Sequence, residues 1–238
     1  MRLILAGCEY SGTTTLAYRL RDWIHTVIGG NVNRIHDHFK IPYTFVHMPE
    51  YTPTPDATPD EVKSFLSLSP RIMDTVMRHN CVYHSKAIKG MEDKIIIGMH
   101  IDELVYGPRY FNYGQAGTNG DRRAFGLGIE RTVLAEAPDT ILVHVHATPD
   151  VIAKRMRQNP HPNGLVKEND IQFVLGRFAE EVGHSVLRRK IALDTSTMSV
   201  EETLNEFVRK VEPLMADNDR RRMLLRQVWL KDGAAAGK

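Results

Sequence analysis

Short apolar runs alternate along this chain with longer stretches of helical spacing. Leu3 to Ala6 reads as a buried strand, and Leu16, Leu20, Trp23, Ile24 and Val27 mark a helix over about 13–29. Gly29-Gly30-Asn31 supplies the stop. Tyr43 to His47 predicts a second strand, which runs into Met48-Pro49-Glu50-Tyr51-Thr-Pro-Thr-Pro, too rich in proline for helix or central strand. Asp60 is placed to cap a helix near 61–67. Ile72, Met73, Val76 and Met77 carry another over about 69–89. Lys94 to His100 is apolar enough for a strand buried on both faces.

A short helix with Tyr106, Arg109 and Tyr110 follows Asp102, and the glycine-rich polar stretch Asn112 to Gly128 predicts an irregular loop over the site. A helix over about 127–136 precedes the strand Thr140 to His146. Pro149 opens the next helix, which ends near Arg157, and Gln158 to Gly164 breaks the pattern. A helix over about 168–188, a strand Ile191 to Asp194 and a Ser199-capped helix to about 217 complete the order. Strands separated by helices predict an α/β, three-layer, doubly wound fold with a parallel sheet of about five strands. Such sheets bind ligands beyond their carboxyl ends. Those ends carry Gly7 to Thr14, Met48 to Glu50, His100 to Asp102 and His146 to Thr148.

Composition narrows the class without naming a substrate. With 238 residues, 42% hydrophobic and 25% charged, the chain suits one soluble globular domain. A net charge of +2 neither demands nor excludes nucleic acid. The apolar runs are too short for a membrane span or signal peptide, so a cytoplasmic protein is expected. Cys8 and Cys81 lack metal-ligand spacing. His144 and His146 share a strand face, but no third ligand is spaced to join them, so they read as a packed pair. Asp37, between His36 and His38, reads as loop. Arg220 to Lys231 is a basic, partly amphipathic helix, suited to packing on the body or on a second subunit, or to a phosphate backbone.

The chemistry concentrates in the first strand–turn–helix. Gly7-x4-Gly12-x-Thr14 fits G-x-x-x-x-G-K-[ST] except that Thr13 replaces the lysine. The N–H groups of Gly7, Ser11, Gly12, Thr13, Thr14 and Thr15 at a helix start suit a nucleotide's phosphates. The Thr14 hydroxyl can reach Mg²⁺, and Asp102 is the candidate carboxylate holding that ion through water, or else an N-cap. Glu50 could take the proton of an attacking hydroxyl. Arg71, Arg109, Arg155 and Arg157 could grip phosphate bidentately.

Assembled, these residues resemble the nucleoside and nucleoside-monophosphate kinase group of P-loop proteins, with thymidylate and deoxynucleoside kinases nearest. Asp102-Glu-Leu-Val-Tyr-Gly-Pro-Arg109-Tyr-Phe is similar to the deoxynucleoside kinase stretch E-R-S-x-Y-S-D-R-Y-x-F. Asp102 falls on its carboxylate, Tyr106 on its tyrosine and Arg109 on its second arginine, while Glu103 replaces the first arginine. Pro49-Glu50 resembles the acidic E-P region, shifted and reversed. Ser69-Pro70-Arg71 resembles the helix start that holds the acceptor's phosphate in thymidylate kinases. Val145 to Arg157 resembles the strand and lid helix whose arginines close over the transferred group.

The resemblance implies a P-loop kinase-like domain over 1–218 with a helical lid near 154–168, followed by a basic helix and flexible tail over 219–238. It implies ATP as donor and Mg²⁺ as cofactor. Arg71, Tyr106 and Arg109 would hold the acceptor, a nucleoside, a nucleotide or a modified base in DNA; Arg155 and Arg157 would act from the lid. Homodimers are common in the group. Glu103, if it faced the site, would repel an acceptor phosphate. The missing lysine leaves three accounts open. Lys154, Arg155, Arg157 or Lys167 could replace it in an active kinase. Ser11-Gly12-Thr13-Thr14-x-Leu16 also resembles the sulfonate-donor loop S-G-T-T-x-L of sulfotransferases, though Tyr10 stands where that group has lysine. The third account is a nucleotide-binding scaffold without turnover.

Overall fold

The computed structural model describes residues 1–39, 57–118 and 120–236, with side chains to residue 230. Five strands, β1 (Arg2–Ala6), β2 (Ile35–Asp37), β3 (Lys94–Ile97), β4 (Ile141–His146) and β5 (Arg189–Asp194), form one sheet in the order β2-β3-β1-β4-β5. Every pairing is parallel, with Leu5 opposite Ile97 on one side and opposite Val143 on the other. The expected fold class therefore holds.

Alternate residues of the central strands feed two cores. Ile4, Ala6, Ile96 and Leu142 face α3 (Pro70–Ala87), α4 (His100–Tyr110), α5 (Arg122–Glu136) and α7 (Ile171–His184). Leu3, Leu5, Ile95, Ile97 and Val143 face α1 (Thr13–Trp23) and α8 (Val200–Val211). Two-sided burial explains the unbroken apolar runs of β1, β3 and β4. Ser199 caps α8 through a capping box with Glu202. Helices α2 (Pro59–Leu66), α6 (Pro149–Gln158) and α9 (Asp217–Ala236) complete the described α-helices. No helix among the described residues is long and apolar enough to cross a membrane.

Several boundaries differ from expectation for local reasons. Helix α2 is capped by Thr58, with Glu61 closing the box, because Pro59 fits the first helical position; Asp60 lies inside the first turn. Strand β3 ends at Ile97, since Gly98 (φ +78°) and Met99 (φ +53°) turn left-handed before α4. The loop over the site is shorter than expected: Asp121 caps α5, which begins at Arg122. The second described strand is Ile35–Asp37; the expected strand Tyr43 to His47 lies outside the described residues.

Candidate active site

A crevice of about 530 Å³ opens beyond the carboxyl ends of the strands. Its floor is the turn from β1 to α1. Gly12 takes φ +98° where a side chain would be strained, and a Cβ on Gly7 would strike the Val145 carbonyl oxygen. The N-terminus of α1 thus approaches the crevice with no side chain in the way, and Ser11 to Thr15 line it. Such a terminus favours anions. Among the residues expected to bind nucleotide, Gly7 is the one that does not line the crevice, a spacer rather than a wall.

Carboxylates face this cradle from two strand ends. The Thr14 hydroxyl donates to Asp37 Oδ2 at 3.2 Å. Asp102 lies in the first turn of α4, 4% exposed, its carboxyl group packed over Gly98. Its Oδ1 has no hydrogen-bond partner. Burial pushes its carboxyl well above the ordinary range, and the neighbouring charges of Asp37, Glu103 and Glu9 push it further. A buried orphan oxygen beside a second carboxylate and a hydroxyl is a donor set that fits a hard divalent cation, which would remove the repulsion between them. Asp37, expected in a loop, closes β2. Only Ile35 in its strand is aliphatic, and His36 supplies the buried position by stacking on His84 at 3.7 Å. The signal in the sequence was an acid closing a short run one element after the glycine turn. Glu50, expected to take the proton of an attacking hydroxyl, lies outside the described residues.

Helix α6 and the loop after it meet the cradle directly. Arg155, on α6, donates to the Tyr10 carbonyl (3.0 Å) and to Thr195 Oγ1 (3.0 Å) and carbonyl (2.7 Å). Among the described lining residues it is the one arginine, and no lysine joins it. Glu9 Oε2 accepts the N–H groups of both Leu165 and Val166 at 2.9 Å. Burial raises the Glu9 carboxyl, although those two bonds oppose it. Tyr10, at φ +66°, stacks its ring on His161 and accepts the His161 N–H at 3.0 Å. Residues 9 and 10 therefore seat the loop that follows α6, a role the glycine spacing alone did not reveal.

The other expected residues divide. Tyr106 lines the crevice, and its hydroxyl accepts the Glu9 N–H at 3.0 Å. Arg109 points elsewhere, pairing with Asp170 and lying over Phe173. Arg157 pairs with exposed Glu168, and Arg71 is exposed at the start of α3; neither lines the crevice. Glu103 is fully buried, 2.7 Å from Arg122 and 2.8 Å from His38 Nε2, and so does not face the crevice. His144 and His146 pack at 5.2 Å, and burial lowers the His144 pKa to about 4.

The fold is similar to that of P-loop nucleoside and nucleotide kinases. Three solved structures share it at probability 1.00. The YorR protein of Bacillus subtilis, solved in complex with phosphorylated GDP, matches at TM-score 0.56 and 18% identity, covering 91% of this chain and 99% of its own. Thymidylate kinase from Candida albicans matches at 0.56 and 14%, covering 92% and 93%. Deoxyadenosine kinase from M. mycoides, bound to dATP, matches at 0.55 and 13%, covering 89% and 99%. No family model and no curated protein matches the chain in sequence.

Proposed function

We propose that the chain is a phosphotransferase that moves the terminal phosphoryl group of ATP, with Mg²⁺, to a nucleoside- or nucleotide-type acceptor. The observation that carries this reading is the meeting of four parts in one crevice: the α1 N-terminus, the Thr14 hydroxyl, the Asp37–Asp102 carboxylates and Arg155. Phosphoryl transfer asks a protein mainly to position groups and neutralise charge. Ser11 to Thr15 would hold the donor phosphates. Thr14, Asp37 and Asp102 would hold Mg²⁺, which when bound would neutralise charge on the phosphates. Arg155 would supply the cation that Thr13 lacks, and its three oxygen partners fix its guanidinium beside the cradle.

Calorimetric titration with ATP, with and without Mg²⁺, and with adenosine 3′,5′-bisphosphate tests the reading. Mg²⁺-dependent ATP binding is the expected result. Preference for the bisphosphate would move the chain to sulfuryl transfer, and no binding of either at millimolar concentration would remove the donor site.

A further inference from the structure

Building on that phosphotransferase reading, we infer that the accepting atom is the oxygen of a neutral alcohol and not an oxygen of a phosphate monoester. The charge around the crevice carries the inference. Three carboxylates line it, Glu9, Asp37 and Asp102, and Arg155 is the one arginine among the described lining residues. That arginine is bound to the Tyr10 carbonyl and to Thr195, against the donor cradle. A phosphate acceptor brings a second dianion up to the donor's terminal phosphate and needs fixed cations of its own to approach.

The arginines that the resemblance offers for this are engaged or placed elsewhere, while His161 is stacked on Tyr10 and Lys167 donates to the Gly164 carbonyl. Arg109 pairs with Asp170, and Arg71 is exposed away from the crevice. Arg122 is buried between Asp74 and Glu103. Residues 40–56, which lie outside the described set, contain a single lysine, Lys40, and no arginine. Glu103, standing where the resembled motif has arginine, is locked by Arg122, His38 and Tyr113.

The same carboxylates suit an alcohol. A phosphate monoester oxygen is already anionic near neutral pH, whereas a hydroxyl must surrender a proton during transfer. In that step the hydroxyl oxygen forms a bond to the terminal phosphorus of ATP. The bond from that phosphorus to the bridging oxygen breaks, and its electron pair leaves on ADP. The hydroxyl proton passes to Glu9, the lining carboxylate outside the proposed metal set.

The test incubates the full chain with Mg²⁺–ATP and matched acceptors, each 2′-deoxynucleoside beside its 5′-monophosphate, and resolves the products by mass. An oligodeoxynucleotide carrying a 5-hydroxymethylpyrimidine forms a further arm, presenting an alcohol on a polymer instead of a free nucleoside. Transfer to a hydroxyl at least tenfold faster than to any 5′-phosphate supports the inference, and the arm that reacts names the source. Conversion of a monophosphate to a diphosphate as the fastest reaction overturns it and leaves the phosphotransferase reading standing. Mg²⁺–ATP binding with transfer to no acceptor overturns both.

Discussion

The Thr14 hydroxyl donates to Asp37 across 3.2 Å, joining the start of α1 to the end of β2. Two groups that would hold one metal ion are thus oriented toward each other before it arrives. Replacing Thr14 by alanine, or Asp37 by asparagine, is expected to lower turnover by about 10²-fold, as losses in and around metal ligands do. The Thr14→Ala variant should also lose the Mg²⁺ dependence of ATP affinity in calorimetry. Full-speed turnover by Thr14→Ala would remove it from the metal site.

Arg155 and Arg157 sit two residues apart on one helix, and the structure separates them. One binds the Tyr10 carbonyl, the other a surface carboxylate. Arg155→Ala should cost roughly 10²–10³ in kcat, the usual effect of removing a fixed charge from the transferring group. Arg157→Ala should stay within about threefold, given that exposed pairs contribute little. Introducing the motif lysine by Thr13→Lys should recover part of the Arg155→Ala loss; steady-state kinetics on the double variant reads this directly.

Asp102 makes stability and activity pull apart. Its folded pKa lies above the unfolded value near 3.8, so the folded state binds the proton more tightly. Its contribution is greatest below about pH 3.8 and declines as the pH rises through the folded pKa. Asp102→Asn should therefore melt higher than the parent at pH 8 in the absence of metal and equal it near pH 4, while turnover falls. Thermal unfolding across pH, repeated with Mg²⁺, checks the assignment: the ion should raise the parent's midpoint more than the variant's.

Glu9 predicts a local effect on the loop after α6. Hydrogen bonds to a charged group are worth about 1.5–3 kcal/mol each, and its carboxylate accepts two, from the N–H groups of Leu165 and Val166. Glu9→Ala should speed amide exchange at those two positions by roughly 10–100-fold on that basis. The melting midpoint should move little, since the apolar side chains of Val166 and Leu165 keep their packing on the core. Exchange measured residue by residue distinguishes this from global loosening.

How much of this was legible in the sequence depended on where burial was uniform. β1, β3 and β4 each hold an unbroken apolar run, Leu3 to Ala6, Ile95 to Ile97 and Ile141 to Val143, and these runs announced both the strands and the parallel sheet. The glycine spacing announced the cradle, because Gly12 needs a left-handed turn and Gly7 a close approach. β2 was hidden, since its buried position is a histidine that packs through ring stacking and not through aliphatic bulk. Asp37 was hidden with it. Nor could the sequence sort the arginines: Arg109 matches a motif yet pairs with Asp170, a residue 61 positions away.

The order of the sheet also dictates when the crevice can exist. β1, the first strand made, is completed only by β3 and by β4, which begins at Ile141, and Asp37 joins through β3. Pairings of such sequence separation form slowly, because the intervening chain must first be closed into loops. During refolding, helix content can return while Thr14, Asp37 and Asp102 are still on separate segments. Nucleotide-binding competence is then among the last properties the chain acquires, and it reports completion of the whole sheet rather than of the turn that carries the motif.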